Sequence, residues 1–299
     1  MDLTPKFHNQ YEEFRGLEAH TEGEPARIIL SGIPMVEGTT MMEKKQFFME
    51  HCDYIRTSLY FEPRGHKDML CVALVDPVHD AADFGVLFLE SGGVVNMCGH
   101  GAIATAVAVV EAGLGERTEP VTHVCFDAPA GMISINVNIR NGKAVLADLE
   151  NVPTFSYREG LSTVVEGYGT IQYDLEFSGS FCALVDADHF GMKLDGKNAP
   201  TYTEIGMKIM RTLNQEVEVS HPELDIHTID VIDLYQKQPN GRTVNMAVFG
   251  EGQVDRSPCG TGTTAMAAKK FSAGEIAQGG AFEYDSILGC RFTCRIDRT

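Results

Sequence analysis

The sequence predicts an α+β fold made of two similar halves, each a mostly β unit around one buried helix. Three observations predict it. The first is an internal repeat. Glu90-Ser-Gly-Gly-Val-Val-Asn-Met-Cys98-Gly-His-Gly-Ala-Ile-Ala-Thr-Ala is matched by Glu251-Gly-Gln-Val-Asp-Arg-Ser-Pro-Cys259-Gly-Thr-Gly-Thr-Thr-Ala-Met-Ala, 161 residues later. The second is a set of short β-rich runs bounded by turn residues. The third is the stretch 102–112, apolar nearly all round, as a helix buried on every side must be.

Each element has its own reason. Strands are predicted at 27–30, 69–75, 85–89, 132–139, 181–185, 226–234 and 245–249, where β-branched and apolar residues cluster. Helices are predicted at 102–112 and 263–272, each stopped by a glycine, Gly113 and Gly274. More polar helices fit 43–51 and 203–215. The repeat extends beyond the cysteines. Val86-Leu-Phe88 matches Ala247-Val-Phe249, and Phe126-Asp-Ala-Pro-Ala-Gly131 matches Tyr284-Asp-Ser-Ile-Leu-Gly289 after a three-residue slip. The unit is therefore strand, glycine loop with cysteine, helix, strand. Asn151-Val-Pro-Thr breaks the pattern and divides the chain into halves 1–152 and 153–299.

Composition narrows the function. With 43% hydrophobic and 22% charged residues the chain reads as globular. Its net charge of −18 opposes binding to nucleic acid or anionic lipid. No apolar run reaches the length of a membrane span. The opening residues lack the apolar centre of a signal peptide, so the expected compartment is the cytoplasm. Eight cysteines without a Cys-x-x-Cys pair are expected to be reduced and mostly buried. Cys98-x-His100 could be half a metal site, but Thr261 stands where a matching histidine would be, so no metal is expected. Gly99-His-Gly101 and Gly260-Thr-Gly262 are too short for a nucleotide loop.

The repeat permits a specific chemistry. A cysteine at a helix start feels unpaired N–H groups and the positive end of the helix dipole, which favour a thiolate. The same N–H groups can hold a carboxylate. Two such ends facing each other would set one sulfur on each side of the carbon next to that carboxylate. One thiolate could remove its proton while the other thiol returned one from the opposite face, inverting the stereocentre of an amino or imino acid. His100 and Asp255 could hold the substrate nitrogen. A non-catalytic imino-acid binder, or a thiol protein switched by oxidation of the two cysteines, is the reading from another class.

At these residues the chain resembles the proline racemase family. Asn96-Met-Cys98-Gly-His-Gly is similar to the family's first cysteine motif and Asp255-Arg-Ser-Pro-Cys259-Gly-Thr-Gly-Thr to its second. Ala19-His-Thr-Glu-Gly-Glu24, Glu62-Pro-Arg-Gly-His66, Ala128-Pro-Ala-Gly131 and Glu283-Tyr-Asp-Ser-Ile-Leu-Gly289 resemble further signatures, so the likeness spans nearly the whole chain. It implies a diaminopimelate-epimerase-like fold: two pseudo-symmetric domains, each a mixed β-sheet curled around a central helix, with the site between them. It also implies a cofactor-independent, pyridoxal-free racemase, usually a homodimer. Cys98 and Cys259 would be its acid/base pair. The N–H groups of Gly99, His100, Gly260 and Thr261 would bind the carboxylate. Asp255 and the His100 side chain would bind the ring nitrogen. Relatives that dehydrate 3-hydroxyproline carry Thr at the position of Cys259, which disfavours dehydration. The substrate choice is then proline or, alternatively, 4-hydroxyproline (a 2-epimerase). Leu70, Phe249 and Val231 match ring-contacting positions and are apolar, which favours proline, although the family's proline enzymes tend to carry Phe at the position of Leu70. Glu22 stands where Gly or Ala is usual and Cys182 where an aromatic is common. Relatives continue past the position of Thr299 with a segment that returns to the first domain.

Overall fold

The computed structural model describes residues 12–299; the opening residues read above for a leader lie outside them. Two eight-stranded mixed sheets build the molecule. The first contains β1 (Arg15–Thr21), β2 (Glu24–Ser31), β3 (Cys71–Val75), β4 (Phe84–Leu89), β5 (Val94–Val95), β6 (Val121–Ala128), β7 (Gly131–Arg140) and β8 (Lys143–Glu150). Their order is β1-β2-β3-β4-β6-β7-β8, with β5 on β4. The second contains β9 (Phe155–Val165), β10 (Gly169–Phe177), β11 (Phe181–Asp186), β12 (Ile229–Lys237), β13 (Thr243–Phe249), β14 (Gln253–Val254), β15 (Ala281–Ser286) and β16 (Arg291–Arg295). Their order is β9-β10-β11-β12-β13-β15-β16, with β14 on β13.

The sheets share one pattern of strand senses. In the first, β2/β3 and β4/β6 are parallel and β1/β2, β3/β4 and β6/β7 antiparallel. In the second, β11/β12 and β13/β15 are parallel and β10/β11, β12/β13 and β15/β16 antiparallel. So β1–β4 correspond to β10–β13, and β6 and β7 to β15 and β16. β8 and β9 have no counterpart and extend opposite edges of the common plan. The sequence pattern missed both, along with β1, β10, β16 and the two-residue β5 and β14. Alternating half-exposed residues, as in β8, leave no contiguous apolar run to detect.

Helices α1 (Met41–His51), α2 (Asp53–Tyr60), α3 (Gly99–Glu111), α4 (Ala199–Glu216) and α5 (Gly260–Ser272) complete the chain with a short 3-10 turn. α3 touches both end strands of its sheet, β1 and β8, and α5 touches both β9 and β16. A helix can reach both ends of a seven-strand order only if the sheet curls around it. Strand alternation then feeds two layers. In β2 and β3, Ile28 and Val72 face the core around α3, while Ile29, Cys71 and Ala73 face α1 and α2 on the outside. In β12 and β13, Ile232, Leu234, Met246 and Val248 face α4, while Val231 and Ala247 face α5. α2 was not predicted; it follows α1 after the single residue Cys52. α3 and α5 begin three residues before the predicted starts, because the Cys-Gly-x-Gly segments are themselves the first turns. All eight cysteines are free, and Cys52, Cys71, Cys182 and Cys259 are buried. Among the described residues no helix is long and apolar enough to cross a membrane.

Candidate active site

Cys98 is the N-cap of α3 and Cys259 the N-cap of α5. The helices meet start to start. A Cβ on Gly99 would lie 2.8 Å from the Gly260 Cα, and one on Gly260 would lie 2.8 Å from the Gly99 Cα. Neither position tolerates a side chain, which is the physical reason for glycine after each cysteine. With consecutive Cα atoms 3.8 Å apart, this contact holds the two cysteine Cα atoms within about 12 Å of each other. Matched hydroxyls brace the two first turns. Thr21 Oγ1 donates to His100 O at 2.8 Å, and Ser178 Oγ donates to Thr261 O at 3.0 Å. The N–H groups of Gly99, His100, Gly260 and Thr261 belong to first turns, where no helical carbonyl is available to them.

The two sulfurs differ in surroundings. Cys98 has an extended backbone (φ −147°), and its Sγ lies 3.4 Å from His100 Nδ1. His100 Nδ1 is also 3.4 Å from Asp255 Oδ2, and both side chains are nearly inaccessible (3% and 1%). Asp255 Oδ1 accepts from Ser257 N and Ser257 Oγ at 2.8 and 2.7 Å. Burial opposes a charged His100, but the adjacent Cys98 and Asp255 outweigh it and hold the imidazole well above its usual range. His100 thus lies between a sulfur and a carboxylate. Cys259 adopts φ 59°, a left-handed conformation that strains a residue with a Cβ. Its Sγ accepts from Gly262 N at 3.4 Å. Burial, then the nearby Asp255, pushes its thiol well above the usual range.

Glu24 belongs to this constellation, and the sequence reading assigned it no role. It is fully buried, its Oε2 accepts from Arg256 N at 2.7 Å, and its Oε1 has no partner. Burial, then Asp255, pushes it up to about 8, partly offset by His100 and the Arg256 N–H. Its only signal was its place in Ala19-His-Thr-Glu-Gly-Glu24. The neighbouring Glu22 closes the β1–β2 hairpin at φ 48°, ahead of Gly23 at φ 90°.

The apolar residues fall into two groups. Val231 and Phe249 are register partners on β12 and β13 and pack in one cluster with Cys259. Leu70 is buried with the first-half core, against Gly101 of the α3 first turn. Hydrogen bonds from Gln253 Nε2 to Met69 O (3.2 Å) and from Val254 N to Asp68 Oδ1 (3.4 Å) tie the segment before Leu70 to the hairpin after Phe249. Among the described residues no group of three or more His, Cys, Asp or Glu is arranged to hold a metal ion.

A sequence model of the family described as "Proline racemase" matches residues 17–299. A proline racemase of Clostridioides difficile is 43% identical over 281 residues, 93% of this chain and 84% of that protein. A 4-hydroxyproline 2-epimerase of Streptosporangium roseum is 35% identical, over 95% of this chain and 86% of its own length. The crystal structure of a hydroxyproline epimerase from Agrobacterium vitis, with bound trans-4-OH-L-proline, superposes with a TM-score of 0.90 at 29% identity. That superposition covers 94% of this chain and 82% of the other. Matched along almost its whole length, and folded as two curled sheets whose helices meet at paired cysteines, the chain belongs to the proline racemase family.

Proposed function

We propose that this protein interconverts L- and D-proline without a cofactor or metal, using Cys98 and Cys259 as the two acid/base groups. The observation that carries the reading is the contact of Gly99 with Gly260, which brings two cysteine-capped helix starts onto one point. Proline is a secondary amine and forms no neutral imine with a carbonyl cofactor, so direct proton abstraction suits it.

The chemistry follows from the surroundings of each sulfur. The substrate carboxylate is held by the N–H groups of Gly99, His100, Gly260 and Thr261, at the positive ends of two helix dipoles. Asp255, with His100 beside it, holds the cationic ring nitrogen. The His100 ring sits at the Cys98 sulfur, as suits a base, while burial pushes the Cys259 thiol well above its usual range, as suits an acid. The Cys98 thiolate takes the Cα proton, negative charge develops toward the bound carboxylate, and the Cys259 thiol delivers its own proton to the other face. The product leaves Cys98 as thiol and Cys259 as thiolate, the starting state for the reverse direction. Donors aimed at the developing charge are worth about 3–4 kcal/mol each in comparable sites.

Leu70, Phe249 and Val231 form the ring wall in this reading. An unpaired hydroxyl against an apolar wall costs about 1–3 kcal/mol, which favours proline over 4-hydroxyproline. Epimerisation of 4-hydroxyproline is the second reading, favoured by Leu70 in place of the Phe of the family's proline enzymes. The proposal extends to a cytoplasmic homodimer of two-domain subunits, divided at 152/153 in the link between β8 and β9, with a free imino acid as ligand and no nucleic-acid or membrane partner.

Incubation with L- and D-proline in heavy water tests it. Deuterium should enter Cα of the inverted product from either isomer, faster than with trans-4-hydroxy-L-proline. Faster turnover of the hydroxylated substrate selects the epimerase. Absence of exchange with reduced thiols and retained ligand binding selects the non-catalytic binder.

A further inference from the structure

The two curled sheets enclose their helices with different chemistry. Around α3 the core contains Leu74, Phe84 and Phe126, with the two phenyl rings 6.3 Å apart. The corresponding second-half positions are polar. Asp233 stands opposite Ala247 on β12/β13 as Leu74 stands opposite Val86 on β3/β4. Asn245 follows Phe84 by 161 residues, the repeat offset, and Tyr284 follows Phe126 by 158, the offset after the slip. All three are fully buried. The apolar trio suffices to build the fold in the first half, so the fold alone does not call for a buried acid in the second. A buried carboxylate is unfavourable unless its hydrogen bonds are satisfied.

Those bonds lead to one place. Asp233 Oδ1 accepts from Asn245 Nδ2 at 2.7 Å, and Asp233 Oδ2 accepts from Tyr284 Oη at 2.8 Å. Asn245 Nδ2 also donates to Pro258 O at 2.7 Å, and Thr263 Oγ1 donates to the same carbonyl at 3.0 Å. The Pro258 carbonyl belongs to the peptide that joins Cys259, so fixing it fixes the plane about which the Cys259 φ is set. The carboxylate also packs directly against the first turn: a Cβ on Gly262 would lie 2.7 Å from Asp233 Oδ1. The equivalent Gly101 instead meets side-chain carbons of Leu70 and Phe88. The difference tracks the backbone: Cys98 is extended and needs no brace, whereas Cys259 is left-handed at φ 59°.

We propose that Asp233, acting through Asn245 and with Tyr284, is a positioning residue that locks the Pro258–Cys259 peptide and so holds the second thiol in its left-handed, working orientation. This rests on the reading of Cys259 as a proton-transfer group.

The test compares Asn245→Leu, Asp233→Asn and Tyr284→Phe with Phe84→Leu from the first half. Readouts are kcat and KM for proline inversion, folding by circular dichroism, and the iodoacetamide alkylation rates of Cys259 and Cys98 by peptide mass spectrometry. Asn245→Leu should lower kcat about 100-fold with KM changed less than about threefold, because displacement of a reacting group is felt in the chemical step. It should change Cys259 alkylation and leave Cys98 alone. Asp233→Asn keeps an acceptor for Asn245 and should return kcat to within about tenfold of the parent. Phe84→Leu should leave kcat and both alkylation rates unchanged. A folded Asn245→Leu protein with parental kcat, or one in which both cysteines change alike, overturns the proposal. If Asn245→Leu does not fold, Tyr284→Phe decides: kcat should fall about tenfold with Cys98 alkylation unchanged, and parental kcat overturns the lock. A parent that does not invert proline refutes the proposed function instead, and the ratio of the two alkylation rates still reads the lock.

Discussion

Cys98 caps α3 with an extended backbone and an imidazole at its sulfur, whereas Cys259 caps α5 at φ 59° with an amide N–H at its sulfur. The helices they cap differ in the same sense. α3 is rich in Ala and Val and packs against Leu74, Phe84 and Phe126, while α5 lies over Asp233 and Tyr284. Duplication reproduced the strand senses, the helix starts, the Gly99/Gly260 contact and the hydroxyl braces Thr21 and Ser178. It did not reproduce the charge around the sulfurs. The proposed reaction needs two groups of like kind in unlike protonation states, and the different neighbours of the two cysteines support that reading.

Replacing the cysteines one at a time breaks the comparison most sharply. Cys98→Ser and Cys259→Ser should each lower inversion by about a thousandfold or more, since a positioned acid or base contributes about 10²–10⁴. Wash-out of the Cα proton into heavy water, measured separately from L- and D-proline, should favour one isomer in Cys98→Ser and the other in Cys259→Ser; the same preference in both variants would erase the asymmetry described above.

The next effect lies in stability against pH, and it concerns the second half. Glu176 on β10 is fully buried, neither of its oxygens has a partner, and burial pushes it up to about 8. Its proton is bound more tightly in the folded chain than in the unfolded one. Its contribution to stability is therefore complete below about 4.5 and lost as pH rises through about 8. Thermal melts should fall steadily from pH 5 to pH 9. Glu176→Gln should flatten that slope and raise stability at pH 9 by about 2–3 kcal/mol; an unchanged slope would place the pH dependence elsewhere. Glu24 and Asp233, held up to about 8 and about 7 mainly by burial, act in the same direction.

The smallest effect tests what the halves share. Gly99→Ala and Gly260→Ala each press a methyl group onto the opposite helix start, where a Cβ would approach within 2.8 Å. Each should cost about 1–3 kcal/mol in urea unfolding. Because the contact is mutual, the two losses should be similar, and a loss in only one variant would show that the starts do not meet symmetrically.

Much of this was legible in the residues. The repeat around Cys98 and Cys259, the buried character of 102–112 and the runs that became β2–β4, β7 and β11–β13 were all visible as periodicity and turn chemistry. The paired cysteines and the glycines after them were legible because the same Cys-Gly-x-Gly pattern recurs 161 residues later. Glu24, Asp233 and Asn245 were not legible. Each is an ordinary polar residue in its strand, and nothing local distinguishes a buried acid from a solvated one. β8 and β9 escaped because half of each strand faces water.

By itself the sequence determined the α+β class, the two matched halves and the two sulfur-bearing helix starts, because these follow from local pattern and from self-similarity along the chain. Only the tertiary structure decided which residues surround each sulfur. Thr21 and Asp255 reach the first motif, and Glu24 the second, from positions tens or hundreds of residues away, and the titration of His100 and Cys259 depends on burial and on neighbours such as Asp255, quantities that exist only once the chain is folded.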